Sequence, residues 1–228
     1  MKNEVRALLA GGLLIVTSAA SAAESPFSAN VAVTSDYRFR GFSQSAKDPA
    51  LQGGADYAKD GWNAGIWAST IDFGDTDGDV EVDLYGGYSW KGAGIDWTVG
   101  LIHYAYPGSD SADDLPFTEV YVGGSYGPVS VKYYYTNDFT ATDDKSAYYI
   151  LVGASFELGG GFNLGLSAGR SDGDAFVDGV NDYKIGVSKE FGGFNFDLSY
   201  VDTSGAPEIT DDVFNSESTV VLTISKTF

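Results

Sequence analysis

Cysteine is absent from the 228 residues, which excludes a disulfide framework and any thiolate metal centre. Methionine and histidine occur once each, at Met1 and His103, so no histidine cluster can gather a metal. Positive charge is scarce: 13 Lys and Arg stand against 32 Asp and Glu, a formal net charge of −19. A nucleic-acid partner needs a basic patch and is excluded on that ground. Long apolar runs are missing as well. Beyond the first residues nothing approaches the roughly 20 apolar residues of a membrane helix. Acidic chains can be disordered, but 15 tyrosines, 14 phenylalanines and a regular alternation of residue type speak against disorder.

The chain begins MKNEVRALLAGGLLIVTSAASAAES. Lys2 and Arg6 precede a short apolar run, Ala7 to Val16, and Ala20-Ser21-Ala22 fits a small-x-small cleavage site. This pattern is that of a secretory signal peptide. The expected organisation is therefore a signal peptide over residues 1–23 and a single β domain over residues 24–228.

What is present is period two. In SANVAVTSDYRFRGFSQS the apolar set Phe27, Ala29, Val31, Val33, Tyr37 and Phe39 alternates with Ser28, Asn30, Thr34, Asp36, Arg38 and Arg40. A strand with two unlike faces produces that pattern. Similar segments recur to the end of the chain, among them DVEVDLYGGYSW, GIDWTVGLIHYAY, SAYYILVGASFEL and STVVLTISKTF. They amount to about 12 strands. In GWNAGIWASTI the period is ambiguous, because Trp62 and Ile66 fall on one face and Trp67 and Ile71 on the other.

The connections alternate. KDG, KGAG, YGP, LGGG and FGG are tight turns, whereas FSQSAKD, DFGDTDG, PGSDSADDLP, FTATDDK, DGDAFVDG and SGAPEITDDVFN are long. An even strand number with short turns at one end and long loops at the other is the signature of an outer-membrane barrel. A sandwich, whose chain crosses between sheets, has no reason to keep it. Acid concentrates in the long loops, at Asp75, Asp77, Asp110, Asp113, Asp114, Asp143, Asp144, Asp172, Asp174, Asp178, Asp211 and Asp212. The fold class is all-β: a transmembrane up-and-down antiparallel barrel, apolar side chains outward. Aromatic residues near segment ends, as at Tyr37, Trp62, Tyr88, Trp90, Trp97, Tyr135 and Phe191, suit two interfacial girdles. Phe228, with Val220, Leu222 and Ile224 at even offsets, reads as an assembly signal for the barrel-insertion machinery, and Lys226 would snorkel.

SANVAVTSDYRFRGFSQS, followed by PALQGGADYA and GWNAGIWAST, resembles the start of the TorF family of proteobacterial porins, also called the Gcw-chp family. The likeness is close over Ser28 to Thr70, looser through the middle, and returns at the last strand. It implies an outer-membrane barrel and a channel, and it brings no catalytic or ligand residues with it.

Twelve strands about 4.8 Å apart and tilted about 40° give a backbone diameter of roughly 24 Å and a bore on the order of 10 Å. By parity the pore-lining candidates are Asp36, Arg38, Arg40, Asp56, Glu81, Asp83, Tyr85, Glu119, Lys132, Glu157, Lys184 and Asp197. Acids dominate, so a porin-like channel for passive diffusion of ions and small solutes, modestly cation-selective, is the expected function. The alternative is a non-conducting barrel whose acidic outer loops bind a partner or divalent cations. GDTDGD lacks the spacing of an EF-hand. His103 falls on the lipid face with Ala105 two residues on, which does not fit a barrel lipase. Catalysis, a cofactor and a metal site are not expected. The expected surroundings are outer-membrane lipid and lipopolysaccharide, with both termini periplasmic and a homo-oligomer open.

Overall fold

The computed structural model describes residues 25–74, 79–108, 115–139, 145–206 and 212–228. The signal segment lies outside these residues, as do Asp75, Asp77, Asp110, Asp113, Asp114, Asp143, Asp144 and Asp211. The strands are β1 (Phe27–Thr34), β2 (Arg38–Phe39), β3 (Phe42–Ser43), β4 (Ala50–Lys59), β5 (Trp62–Thr70), β6 (Val80–Gly92), β7 (Ile95–Ala105), β8 (Phe117–Tyr126), β9 (Val129–Thr136), β10 (Ala147–Gly159), β11 (Phe162–Asp172), β12 (Val180–Phe191), β13 (Phe194–Ser204) and β14 (Thr219–Thr227). All except β2 and β3 form one closed antiparallel barrel in which each strand pairs with its sequence neighbours in the wall. The wall thus has the 12 strands expected. Closure is made by β1 against β14, with Asn30 opposite Thr227 and Val33 opposite Ile224. A closed sheet has no edge, so every wall strand pairs on both sides.

The tight turns follow from local chemistry. Lys59 pairs with Trp62 across Asp60-Gly61, both at positive φ (53° and 86°). Two successive left-handed residues make the type I′ turn, which matches strand twist. All five short turns lie at one end of the barrel, and the start of β1 and the C-terminal Phe228 lie there too: Phe228 donates its N–H to the Ala29 carbonyl at 2.8 Å.

Burial alternates along the strands and separates two surfaces. Outward positions carry exposed apolar side chains, including Val31, Val33, Leu51, Ile66, Leu84, Val99, Leu101, Val120, Val122, Ile150, Val152, Ile185, Leu198 and Leu222. A soluble monomer does not expose an apolar belt of that extent. At the turn end the belt is bordered by aromatic pairs, Phe27 with Tyr57 at 5.1 Å and Trp62 with Tyr88 at 4.9 Å between ring centroids. His103 is outward, its Nδ1 2.9 Å from Thr118 Oγ1. Lys226 also follows the outer face, its Nζ 5.2 Å from the Phe194 ring centre and 5.1 Å from that of Phe228.

The ambiguous strand resolves into one face and the other. Trp62 and Ile66 are exposed outside, whereas Trp67 is buried inside. The barrel interior is itself divided. In the half toward the turns the inward residues are small or polar, among them Ser89, Thr98, Gly123, Ser130, Ser155, Gly165, Ser188 and Asn195. In the half toward the loops a packed core occupies the interior, built from Tyr37, Trp67, Ile71, Tyr85, Ile102, Tyr104, Tyr106 and Phe117. A uniformly polar inner column was expected; the loop-side half departs from it because a piece of the chain fills it.

That piece follows β1. The alternation of β1 continues past Thr34, but the strand does not. Tyr37 and Phe39, expected to face lipid with Val31 and Val33, turn inward: Tyr37 is 3% exposed and Phe39 packs on the buried core. Asp36, Arg38 and Arg40 accordingly leave the wall. Residues 35–49 form a second, smaller hairpin, β2 with β3, inside the barrel.

Candidate functional site: an inward hairpin across the lumen

The hairpin is built by its own sequence. Arg40 and Gly41 sit at its tip with φ of 49° and 90°, flanked by the pair Phe39 and Phe42. This is the two-residue turn of the barrel's own hairpins, made with Arg-Gly. At the base the Gln44 N–H donates to the Tyr37 carbonyl at 2.7 Å, and the Tyr37 N–H to Ser45 Oγ at 3.0 Å. Asp36 ties the two arms together. It accepts from Arg38 Nε at 2.6 Å and from Ser43 Oγ at 2.7 Å.

The wall receives the hairpin on most sides. Toward β5 and β6, Tyr37 meets Trp67 edge-on at 5.4 Å and its hydroxyl donates to Glu81 Oε1 at 3.0 Å. Burial first, then the neighbouring Glu81 and Asp83 carboxylates, holds the Tyr37 phenol well above its ordinary pKa. Toward β7, Phe39 meets Tyr104 edge-on at 5.7 Å. Toward β8 to β10, Arg40 Nη2 pairs with Glu119 Oε2 at 2.6 Å, and its guanidinium carbon lies 5.4 Å from the Tyr134 ring centre and 4.3 Å from that of Tyr149. Toward β12 and β13, a methyl group on Gly41 would overlap the Thr203 side chain and stand 3.2 Å from Asp182 Cβ. Beside β14, Arg38 Nη1 donates to the Asn215 carbonyl at 2.7 Å and the Ser43 N–H to the same carbonyl at 2.9 Å. The hairpin therefore spans the bore from wall to wall.

Its outer rim is held more loosely. Lys47 Nζ is 3.0 Å from Asp212 Oδ1 and 3.8 Å from Glu217 Oε2, in the β13–β14 connection. The hydrogen bond to Asp212 raises the Lys47 pKa above its ordinary value. Aromatic side chains from five connections and the start of β8 meet above: Phe73 with Tyr106 at 5.7 Å and with Phe214 at 4.7 Å, and Phe139 with Phe117 at 5.2 Å and Phe176 at 5.5 Å.

The Arg40–Glu119 pair is the electrostatic centre. Both side chains are buried, with exposures of 7% and 0%. Burial opposes the Arg40 charge, but Glu119 together with the neighbouring Tyr104 and Tyr149 more than offsets that, leaving the guanidinium above its ordinary pKa. Removing one member of a buried pair strands the other, at a cost of about 3–5 kcal/mol. The Tyr104 hydroxyl also donates to Glu119 Oε2, at 3.1 Å.

The remaining candidates sit on the inner wall at several levels. Glu81 and Asp83 are both 2% exposed on β6, beside the hairpin base. Tyr85, next along that face, donates to Asp56 on β4 and lies flat over Gly65, where no Cβ would fit. Lys132 on β9 reaches over the Tyr121 ring, 5.3 Å from its centre. Lys184 on β12 pairs with Asp197 on β13 at 3.5 Å. Glu157 lies on β10 near the turn end, and Phe228 ends the last strand, clear of the lumen. The hairpin thus gathers Asp36, Arg38, Arg40, Glu81, Asp83 and Glu119, whereas Asp56, Tyr85, Lys132, Glu157, Lys184 and Asp197 line the barrel below it. Parity also places Tyr134 and Asp182 inward, but sequence reasoning missed Tyr104 and Tyr149 and the grouping of all four. Their inward parity was readable, but their convergence on Arg40 was not. Among the described residues no group of His, Cys, Asp or Glu has the geometry to hold a metal ion.

Known proteins agree with this architecture. Residues 18–228 match the family model described as "Bacterial protein of unknown function (Gcw_chp)". Among solved structures, the NanC porin superposes with a TM-score of 0.58 at 9% identity, over 87% of this chain and 98% of that one. The KdgM porin gives 0.56 at 7% identity, over 88% and 98%. The COG4313 outer membrane channel from Pseudomonas putida F1 gives 0.53 at 11% identity, over 91% and 97%. At such identities the likeness is one of fold. No curated protein matches the sequence.

Proposed function

The chain belongs to the Gcw_chp family, and from that premise we propose that it is an outer-membrane channel for small ions and solutes, narrowed by its inward hairpin. The observation that carries this reading is the pairing of an apolar outer belt with a small-residue, hydrophilic lower lumen in one closed barrel. Lipid outside and water inside satisfy both surfaces. The short turns and both termini face the periplasm in this reading, and the acidic loops face outward. The small barrels named above have the same fold, which supports a channel over an enzyme.

The channel prefers cations. The chain carries a formal −19, and acids on the lower wall include Asp56, Glu157 and Glu190. Of the bases there, Lys184 and Lys91 are each paired with an acid, Asp197 and Asp96, and add little net field, while Lys132, over the Tyr121 ring, is outnumbered by those acids. A low-dielectric wall focuses such a field into the bore.

One observation favours a second reading. The hairpin meets wall strands around most of the circumference, as expected of a barrel that does not conduct at rest and presents its acidic loops to a partner or to divalent cations. The test is the folded protein in a planar bilayer under a salt gradient. Stable steps with a reversal potential of cation sign support the channel. Silence from folded protein supports the second reading, and an anion-selective reversal potential refutes the electrostatic argument.

A further inference from the structure

We propose that the barrel wall carries a binding site for organic cations of the guanidinium or primary-amine class, and that Arg40 occupies it as a built-in ligand. The proposal rests on the channel reading above only for the route by which a solute arrives. The site itself stands on geometry.

The receiving groups belong to the wall and not to the hairpin. Glu119 of β8 supplies the carboxylate, and the Tyr134 and Tyr149 rings of neighbouring β9 and β10 supply two aromatic faces. The rings are themselves fixed. Tyr134 packs against Tyr121 at 5.6 Å and against Tyr149 at 6.0 Å, and the Tyr149 hydroxyl donates to Asp182 Oδ1 at 3.1 Å. A carboxylate beside aromatic faces is the arrangement that recognises a desolvated cation, and guanidinium most of all.

Arg40 uses this site incompletely. Its Nη2 reaches only Oε2 of Glu119, which also accepts from Tyr104. Oε1 of Glu119 has no hydrogen-bond partner among the described residues, nor has Oδ2 of Asp182, although both atoms are buried. A carboxylate can take a guanidinium through two parallel bonds. The tethered side chain, held at a left-handed tip residue, makes one. A free guanidinium is not so constrained and can satisfy both oxygens. Toward the turns the inner wall below the site gives way to small residues. Directly below Glu119, Tyr134 and Tyr149 on the same inward faces come Tyr121, Lys132 and Leu151, and then Gly123, Ser130 and Gly153 at the top of the small-residue half.

The test is chemical rescue of the folded mature chain in detergent. Arg40→Ala empties the site, and Arg40→Met does so while keeping the apolar stem, in case the alanine variant does not fold. Methylguanidinium is added below denaturing concentrations and the urea midpoint is read by tryptophan fluorescence. A ligand that binds only the folded state raises the folded-to-unfolded ratio by 1 + [L]/Kd, about tenfold at ten times Kd. The expected result is a saturable rise in the Arg40 variants, absent in wild type, where the tether competes, and absent when Glu119→Gln is added to either variant. No rise in the Arg40 variants, or an equal rise after Glu119→Gln, overturns the site. The readout does not need conductance. Rescue with silent bilayers leaves the site standing and removes the channel, whereas conductance without rescue does the reverse.

Discussion

Val122 lies on the outer face of β8, exposed, between Val99 of β7 and Tyr133 of β9 in the register. It is four residues from the turn-side end of β8 at Tyr126. At about 3.3 Å per residue and a tilt of about 40°, that places it roughly 10 Å above the girdle, near the middle of an apolar band about 25 Å tall. A lysine there faces hydrocarbon, and the cost is about 2–4 kcal/mol at the midplane. The control is Ser155 on β10, four residues before the strand end at Gly159 and therefore at a similar height, but inward. A lysine at Ser155 faces water and stands two residues from Glu157 on the same face, so its cost is expected below about 1 kcal/mol. The assay is reversible urea unfolding of each variant in lipid vesicles, followed by tryptophan fluorescence. Val122→Lys should lower the folding equilibrium constant by about 30-fold to 700-fold, at about 1.4 kcal/mol per decade, and Ser155→Lys by less than about fivefold. Equal losses, or a larger loss at Ser155, would refute the assignment of outside to lipid and inside to water.

Other consequences are more local. Gly41→Ala combines a φ of 90° with overlap on Thr203, so it should cost about 1–3 kcal/mol in urea unfolding and loosen the hairpin, raising conductance. Gly100→Val should cost about 1–3 kcal/mol, because a Cβ there stands 2.5 Å from the Gly86 carbonyl oxygen and 2.6 Å from Tyr121 Cζ, and Tyr121→Ala in the same chain should recover only the Tyr121 part of that loss in a double-mutant cycle. The raised pKa of Lys47 makes its contribution complete below the ordinary lysine range and lost as pH rises through the folded-state value. Wild type and Lys47→Met should therefore differ in unfolding midpoint near neutrality and converge in strongly alkaline buffer; a difference that persists there contradicts the ion-pair account.

Wall strands were legible because both of their signals are local. Period two along DVEVDLYGGYSW and a left-handed pair such as Asp60-Gly61 fix a strand and its turn without reference to the rest of the chain. Tyr37 and Phe39 were not legible for a related reason. A hairpin folded inside the barrel has the same period as the wall, so DYRFR continues the alternation of β1, and the phase changes only at Gly41-Phe42. A signal was present in Arg40-Gly41 between Phe39 and Phe42, the same grammar that ends β4. The partner that makes Arg40 meaningful, Glu119, is 79 residues away and paired by closure of the barrel, which no local pattern encodes. Trp67 shows the same limit: its face follows from Tyr37 lying beneath it, not from the residues on either side.

Because Gln44 already donates to the Tyr37 carbonyl across the hairpin base at 2.7 Å, residues 38–43 can be replaced by Gly-Gly, with Glu119→Gln in the same chain so that loss of Arg40 leaves no buried carboxylate unpaired. Single-channel conductance of this shortened chain against the intact one tests the account most directly. A barrel narrowed by its own hairpin should pass small steps when intact and steps several-fold larger, still cation-selective, when shortened. Identical conductance in the two proteins, or silence from a folded shortened barrel, would contradict it.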